Sequence, residues 1–129
     1  MVSQEEEIAM KLIKINQAPK TPVENRLFTG PVTVQSMVDT DLSKRFKIQQ
    51  VNFEKSVRNK FHAHTIEQIL IVTEGKGIVA TENEEIAVGP GDIIFIPAGE
   101  KHWHGAAEGF TFSHLYVLSP ETETTQVES

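Results

Sequence analysis

HAHTIEQILIVTEGKG, residues 62–77, and GPGDIIFIPAGEKHWHGA, residues 89–106, decide how this chain folds. Gly75, the pair Gly89 and Gly91, and Gly99 punctuate short runs of Ile, Val, Leu and Phe. Further turn signals at Asn83 and Gly109 keep a spacing of seven to ten residues, as in an all-β sandwich or barrel. Outward from these two stretches the pattern continues. Strand-like runs are read at Pro31–Val38, Phe46–Glu54, Gln68–Thr73, Gly77–Thr81, Glu85–Val88, Asp92–Pro97 and Phe110–Leu118. Val, Ile, Phe and Thr dominate them, as half-buried pleated surfaces favour. No long stretch has apolar residues at helical spacing, and Asp39–Arg45 offers a single turn. KLIKI, residues 11–15, alternates like one more strand.

Side chains alternate along a strand, so parity assigns faces. In Phe46–Glu54 the odd residues Gln49, Val51 and Phe53 form the inner row. In Phe110–Leu118 the even residues Phe110, Phe112, His114, Tyr116 and Leu118 do so. Gln68, Leu70 and Val72 alternate with Ile69 and Ile71, so both faces of that strand are apolar and both need cover. The outer cover is expected from a second sheet or a partner chain, hence at least a homodimer.

The chain has 129 residues, enough for one domain with one core. Residues 1–9 read as an acidic extension, residues 10–118 as the folded barrel, and residues 119–129 as a polar tail. That tail is expected to be mobile, or ordered only by another subunit. Twelve Lys+Arg against eighteen Asp+Glu give a net charge of −6, without the basic run of a nucleic-acid binder. The absence of Cys excludes disulfides, thiolate metal sites and cysteine nucleophiles. The longest apolar run, Ile93 to Ala98, falls far short of the ~20 residues of a membrane helix. Glu5, Glu6 and Glu7 stand where a signal peptide would be basic. The default expectation is a soluble cytoplasmic protein with no membrane or nucleic-acid partner and a small-molecule substrate or ligand.

All five histidines fall between residues 62 and 114. His62 and His64 are two apart on a strand, so their imidazoles point the same way, and Gln68 shares their parity. His102 and His104 repeat the spacing. One buried His with a backbone partner is an ordinary core residue. Two such pairs on inward faces are better explained by a metal, because neutral imidazoles are the commonest protein metal ligands.

The spacings also resemble a known family. H-x-H, three residues, Gln, six residues, Gly (His62, His64, Gln68, Gly75) is similar to the first motif of the cupin superfamily. Gly, five residues, P-x-G, two residues, His (Gly91, Pro97, Gly99, His102) is similar to the second. Ser56 stands where the first motif usually has Gly, and Ala106 where the second often has Asn. Gln68 replaces the commoner Glu. The run PAGEKHWHGA, with His114 twelve residues after His102, and the segment RLFTGPVTV at residues 26–34 resemble a small bacterial subgroup. It contains the manganese-dependent cupin hydroxynitrile lyases and sequences near carboxymuconolactone decarboxylase. The resemblance implies an antiparallel jelly-roll barrel with one divalent metal per chain. Its ligands would be His62, His64, Gln68 and His102, and the metal Mn, with Fe, Ni or Zn as alternatives.

Three His and one Gln are neutral donors, so a bound 2+ ion keeps its full formal charge. That favours polarising an oxygen over supporting a higher oxidation state. A lyase acting on a small carbonyl or hydroxyl compound is therefore expected. An iron-dependent dioxygenase and a non-catalytic ligand-binding barrel are the alternatives. His104 and His114 are the expected proton-handling groups, kept neutral by the nearby ion. Val51, Phe53, Phe112 and Tyr116 are expected as pocket wall, and Gln49 as the polar residue that orients a ligand. Trp103, of opposite parity to its neighbours, is expected to pack between sheets or at a subunit contact.

Overall fold

The structure is a computed structural model and describes residues 9–129. Residues 1–8 of the acidic extension lie outside the described residues. Eleven strands follow in order: β1 (Thr21–Pro22), β2 (Val32–Val38), β3 (Lys47–Phe53), β4 (His62–His64), β5 (Gln68–Gly75), β6 (Gly77–Thr81), β7 (Glu85–Val88), β8 (Ile93–Ile96), β9 (His102–Ala106), β10 (Phe112–Leu118) and β11 (Thr124–Gln126). They form a six-stranded sheet in the order β1-β2-β3-β10-β5-β8 and a five-stranded sheet in the order β11-β4-β9-β6-β7. The all-β, antiparallel barrel expected from the sequence is found. Among the described residues no helix is long and apolar enough to cross a membrane.

Between the sheets lies a core of Val32, Val51, Phe53, Leu70, Val72, Val79, Ile96 and Phe112. Its centre is aromatic: Phe53 packs on Phe28 and Phe112 with ring centroids 5.9 Å apart in both cases. The parity reading holds on β5, where Gln68, Leu70 and Val72 are buried. Polarity is graded along this inner surface. Val72, Phe53 and Phe112 fill one end solidly, while Lys47, Gln49, Gln68 and Tyr116 occupy the other.

Turn chemistry fixes the corners. Gly75 has φ +79°, and a Cβ there would collide with the Thr111 carbonyl, so only glycine fits. Ser56, which stands at a customary glycine position, has φ +64° and is the one non-glycine residue with positive φ among the described residues. Its hydroxyl accepts a hydrogen bond from the Gly109 N–H at 2.9 Å, a local compensation for a costly backbone.

Two expectations need correction. KLIKI is not a strand. Met10 and Leu12 are exposed, and the chain enters a 3₁₀ turn at Ile15–Gln17. The buried Gln35 amide on the outer face of β2 donates to the carbonyls of Ile15 and Ala18 at 2.8 and 2.9 Å, and this bends the segment out of register with any edge. Residues 119–129 are not held only by another subunit. β11 pairs with β4 within the same chain, Thr124 opposite His64 and Gln126 opposite His62. The cause is the open edge of β4, whose backbone groups need partners. The Arg58–Glu128 ion pair at 2.8 Å and the Phe61 N–H donating to Glu128 at 2.8 Å fasten the tail. On the outer face of β5 no second sheet lies among the described residues, which leaves a partner chain as the expected cover. Ile69 there and Ile93 and Phe95 on β8 remain exposed.

Candidate functional site

β4 and β9 bring the first imidazoles together. His62 lies directly opposite His102 across the ladder, and their ring centroids are 4.3 Å apart. His64, two residues along β4, points the same way, 4.9 Å from His62. One ring nitrogen each of His62, His64 and His102 lies within 4.8 Å of the others, and all three residues are buried. Gln68, at the start of β5, is buried beside them at 4% exposure.

The other ring nitrogens are already engaged. His62 Nδ1–H donates to the Lys60 carbonyl at 2.6 Å, and His102 Nδ1–H to the Glu100 carbonyl at 2.8 Å. His64 Nδ1 lies 2.8 Å from the Thr124 hydroxyl, which is able to accept its proton. The two carbonyls fix the tautomers of His62 and His102 so that each Nε2 carries a free lone pair. The Nε2 atoms of His64 and His102 and the Oε1 atom of Gln68 are buried without any hydrogen-bond partner. A buried acceptor without a donor is costly, and three at one spot fit a cation that takes up their lone pairs. The residues present therefore fit a divalent metal.

Burial, with His102 next to it, holds His62 down to about 3, against an ordinary 6.5. The same two causes hold His64 at about 4, and burial also lowers His102. All three are neutral at pH 7, the form that binds metal.

Beyond this cluster runs a second one. The Asn59 Oδ1 accepts the His104 backbone N–H at 2.8 Å, which orients the Asn59 amide so that Nδ2 lies against the His104 ring, 3.4 Å from Nδ1 and 3.2 Å from Nε2. His104 Nδ1 then donates to His114 Nε2 at 3.1 Å, and His114 Nδ1 donates to the Leu115 carbonyl at 3.2 Å. One proton arrangement satisfies the whole chain with both imidazoles neutral. Burial, and then His114, keeps His104 well below its ordinary value, and burial keeps His114 at about 4.

A cavity of about 300 Å³ opens onto both clusters. His62, His64, Gln68, His104, Gln49, Val51 and Tyr116 line it. The Tyr116 hydroxyl donates to Gln49 Oε1 at 2.5 Å, and burial raises the phenol to about 12, so it stays protonated. His114, Phe53 and Phe112 do not line the cavity, contrary to expectation. His114 is fully buried behind His104, with Phe53 and Phe112 rings 5.6 and 5.5 Å away. Their parity is inward, but they sit at the end of the barrel where the sheets close onto each other. Trp103 faces away from the cavity, with the Arg58 guanidinium 4.6 Å from its ring centroid.

Of the lining residues that escaped the sequence reading, three bear on the argument. Asn59 precedes β4 in a loop without a recognisable signal. Thr124 lies in the tail that was set apart from the barrel. Lys47 carries the inward parity of Gln49 and Val51, so extending that row by one step would have found it.

Comparison with known proteins agrees with this geometry. Residues 50–118 match the cupin domain family. The chain is 35% identical over 91 residues to an (R)-mandelonitrile lyase of Granulicella tundricola, a match covering 70% of each protein. Among solved structures, the polyketide cyclase RemF of Streptomyces resistomycificus superposes with a TM-score of 0.84 at 25% identity, over 94% of this chain and 87% of that one. A cupin-like protein of Thermotoga maritima gives 0.79 at 29% identity, over 86% and 87%. On its motifs, its barrel and these matches, the chain belongs to the cupin family.

Proposed function

We propose that this cupin is a metal-dependent lyase acting on a small carbonyl or hydroxyl compound. The observation that carries the reading is the convergence of unpartnered buried acceptors from His64, His102 and Gln68 beside His62, at the wall of a cavity that also exposes His104. His62, His64 and His102 would bind a divalent ion through Nε2, and Gln68 through Oε1, because its amide nitrogen has no free lone pair. Mn is the proposed metal, with Fe, Ni or Zn possible for the same donors. When bound, the ion supplies Lewis-acid polarisation of a substrate oxygen.

The chain's own residues do the rest. His104 is neutral and reaches the cavity, so its Nε2 can accept a substrate proton in exchange for the long Asn59 contact. His114 Nε2, facing His104 Nδ1, shares the proton and steadies the ring, which makes His114 a positioning residue for His104. Gln49 and Tyr116 offer a carbonyl and a protonated phenol to orient the substrate. Leu118, Val51 and Phe28 keep water from that wall. The relative that cleaves mandelonitrile supports this class of chemistry. The exposed row of Ile69, Ile93 and Phe95 supports a homodimer through that face.

The test is elemental analysis of protein purified without chelators, followed by a mandelonitrile cleavage assay. One equivalent of metal and chelator-sensitive cleavage are expected. Absence of bound metal in protein from metal-supplemented cells would overturn the proposal. So would substrate-dependent oxygen uptake by iron-loaded protein without any cleavage, which is the signature of a dioxygenase.

A further inference from the structure

The metal end and the open end of the cavity are joined by a row of residues whose chemistry is unevenly distributed. Lys47 is in register with Leu118 across β3 and β10. Val117 is in register with Ile69 across β10 and β5, so the next pair in the antiparallel ladder is Leu118 with Gln68. Lys47, Leu118 and Gln68 thus stand side by side on three adjacent strands. Two interstrand steps place the Lys47 and Gln68 backbones about 10 Å apart. All three residues line the cavity, so the long Lys47 side chain starts on the same inner surface as the proposed metal ligand and can close much of that gap.

The charges are what make this row informative. Among the described residues no carboxylate lines the cavity. Lys47 is the one charged lining residue among them, and it is half-buried. Among the described residues no ion pair engages its ammonium. At the other end the donors are three neutral imidazoles and a neutral amide, so a bound divalent ion would be uncompensated as well. A small cavity with positive charge at both ends and no carboxylate is built to have its counter-charge delivered by the ligand. A lysine is suited to this because its compact ammonium meets a carboxylate as a point charge without demanding one geometry.

We infer that Lys47 is a specificity-determining residue, and that the substrate is a small hydroxy- or oxo-acid. Its carboxylate pairs with the Lys47 ammonium, and its hydroxyl or carbonyl oxygen lies at the histidine end. Gln49 and Tyr116, in register with each other two residues along β3 and β10, flank the row. This inference rests on the proposed reading of the site only in placing a metal at the histidine end. It adds that the natural substrate is an anion, unlike neutral mandelonitrile.

The test uses 4-hydroxybutyrate and its neutral amide, 4-hydroxybutyramide, as probes of equal length. Binding to Mn(II)-loaded full-length protein is read from paramagnetic broadening of the probe's protons in an NMR titration. Lys47→Gln is expected to weaken the acid about 10-fold, the scale of a charge-assisted contact, and to leave the amide within about twofold. Elemental analysis should show unchanged metal content in the variant. Lys47→Arg, which keeps the charge, should retain most of the preference for the acid. Equal affinity of wild type and Lys47→Gln for the acid would overturn the inference, as would equal losses for acid and amide. Mandelonitrile cleavage is measured separately on the same proteins. If cleavage is absent while the Lys47-dependent preference stands, only the lyase reading fails. If cleavage is present and the preference is absent, only the anion site fails.

Discussion

Thr124→Val removes one hydroxyl and keeps the shape of the side chain. That hydroxyl lies 2.8 Å from His64 Nδ1 and, by accepting its proton, would leave Nε2 free to face the proposed metal. Outer partners of this kind are typically worth 10- to 100-fold in metal affinity, about 1.4 to 2.7 kcal/mol. Thr124 belongs to an exposed strand, so water can enter and take over part of the hydrogen bond. The low end of the range is therefore expected: about a tenfold weaker metal Kd, with the melting temperature of the metal-free protein nearly unchanged. Competition titration against a chromogenic chelator measures this directly. Thr124→Ser should restore wild-type affinity, because it returns the hydroxyl. Thr125→Val, one residue along on the opposite face of β11, should have no effect. Unchanged affinity in Thr124→Val would refute the idea that the hydroxyl sets the His64 tautomer. An equal loss in Thr125→Val would show that loosening of β11, not the hydroxyl, is responsible.

Three further outcomes follow from the same geometry. His114→Ala should leave metal content intact and lower turnover of a true substrate by about 10²-fold, the usual scale for impaired proton transfer; normal turnover would reduce His114 to a packed core residue. Metal-free protein should lose stability as pH falls below 6.5. The unfolded chain takes up protons on its histidines there, while folded His62, His64 and His114 stay neutral down to about 3, 4 and 4. The loss should amount to several kcal/mol by about pH 4, with no such slope between pH 7 and 8; denaturant melts at stepped pH would reveal a flat profile if burial does not depress these groups. Phe95→Glu places a charge on the exposed row beside Ile69 and should shift the protein to monomer in sedimentation velocity, with the metal site retained; an unchanged sedimentation coefficient would locate any dimer contact elsewhere.

The barrel and its histidine cluster were legible in the sequence because both depend on local periodicity. H-x-H on a strand can only point two imidazoles one way, and the glycines at positions 75 and 99 mark corners whose φ of +79° and +81° other residues resist. What stayed hidden depends on contacts across long sequence separations. Parity alone places His114 inward, but whether inward means cavity or solid core depends on how closely the two sheets approach at that level. There the Phe53 and Phe112 rings fill the space. KLIKI alternates like a strand, yet the Gln35 amide, twenty residues from Ile15, captures its carbonyls and turns it. The tail has weak apolar content, so composition gave no reason to expect order. It is ordered because β4 is only three residues long and has an unfilled edge.

The pairing of β11 with β4 also sets the order in which the protein can acquire its function during synthesis. The proposed ligands at positions 62, 64, 68 and 102 precede the end of β10 at Leu118 in the chain, whereas Thr124 follows His64 by sixty residues. A chain folded only as far as β10 would have an open β4 edge and no hydroxyl beside the His64 ring. The site would be finished only when β11 pairs with β4, and a metal bound before that would be held less firmly than one bound afterwards.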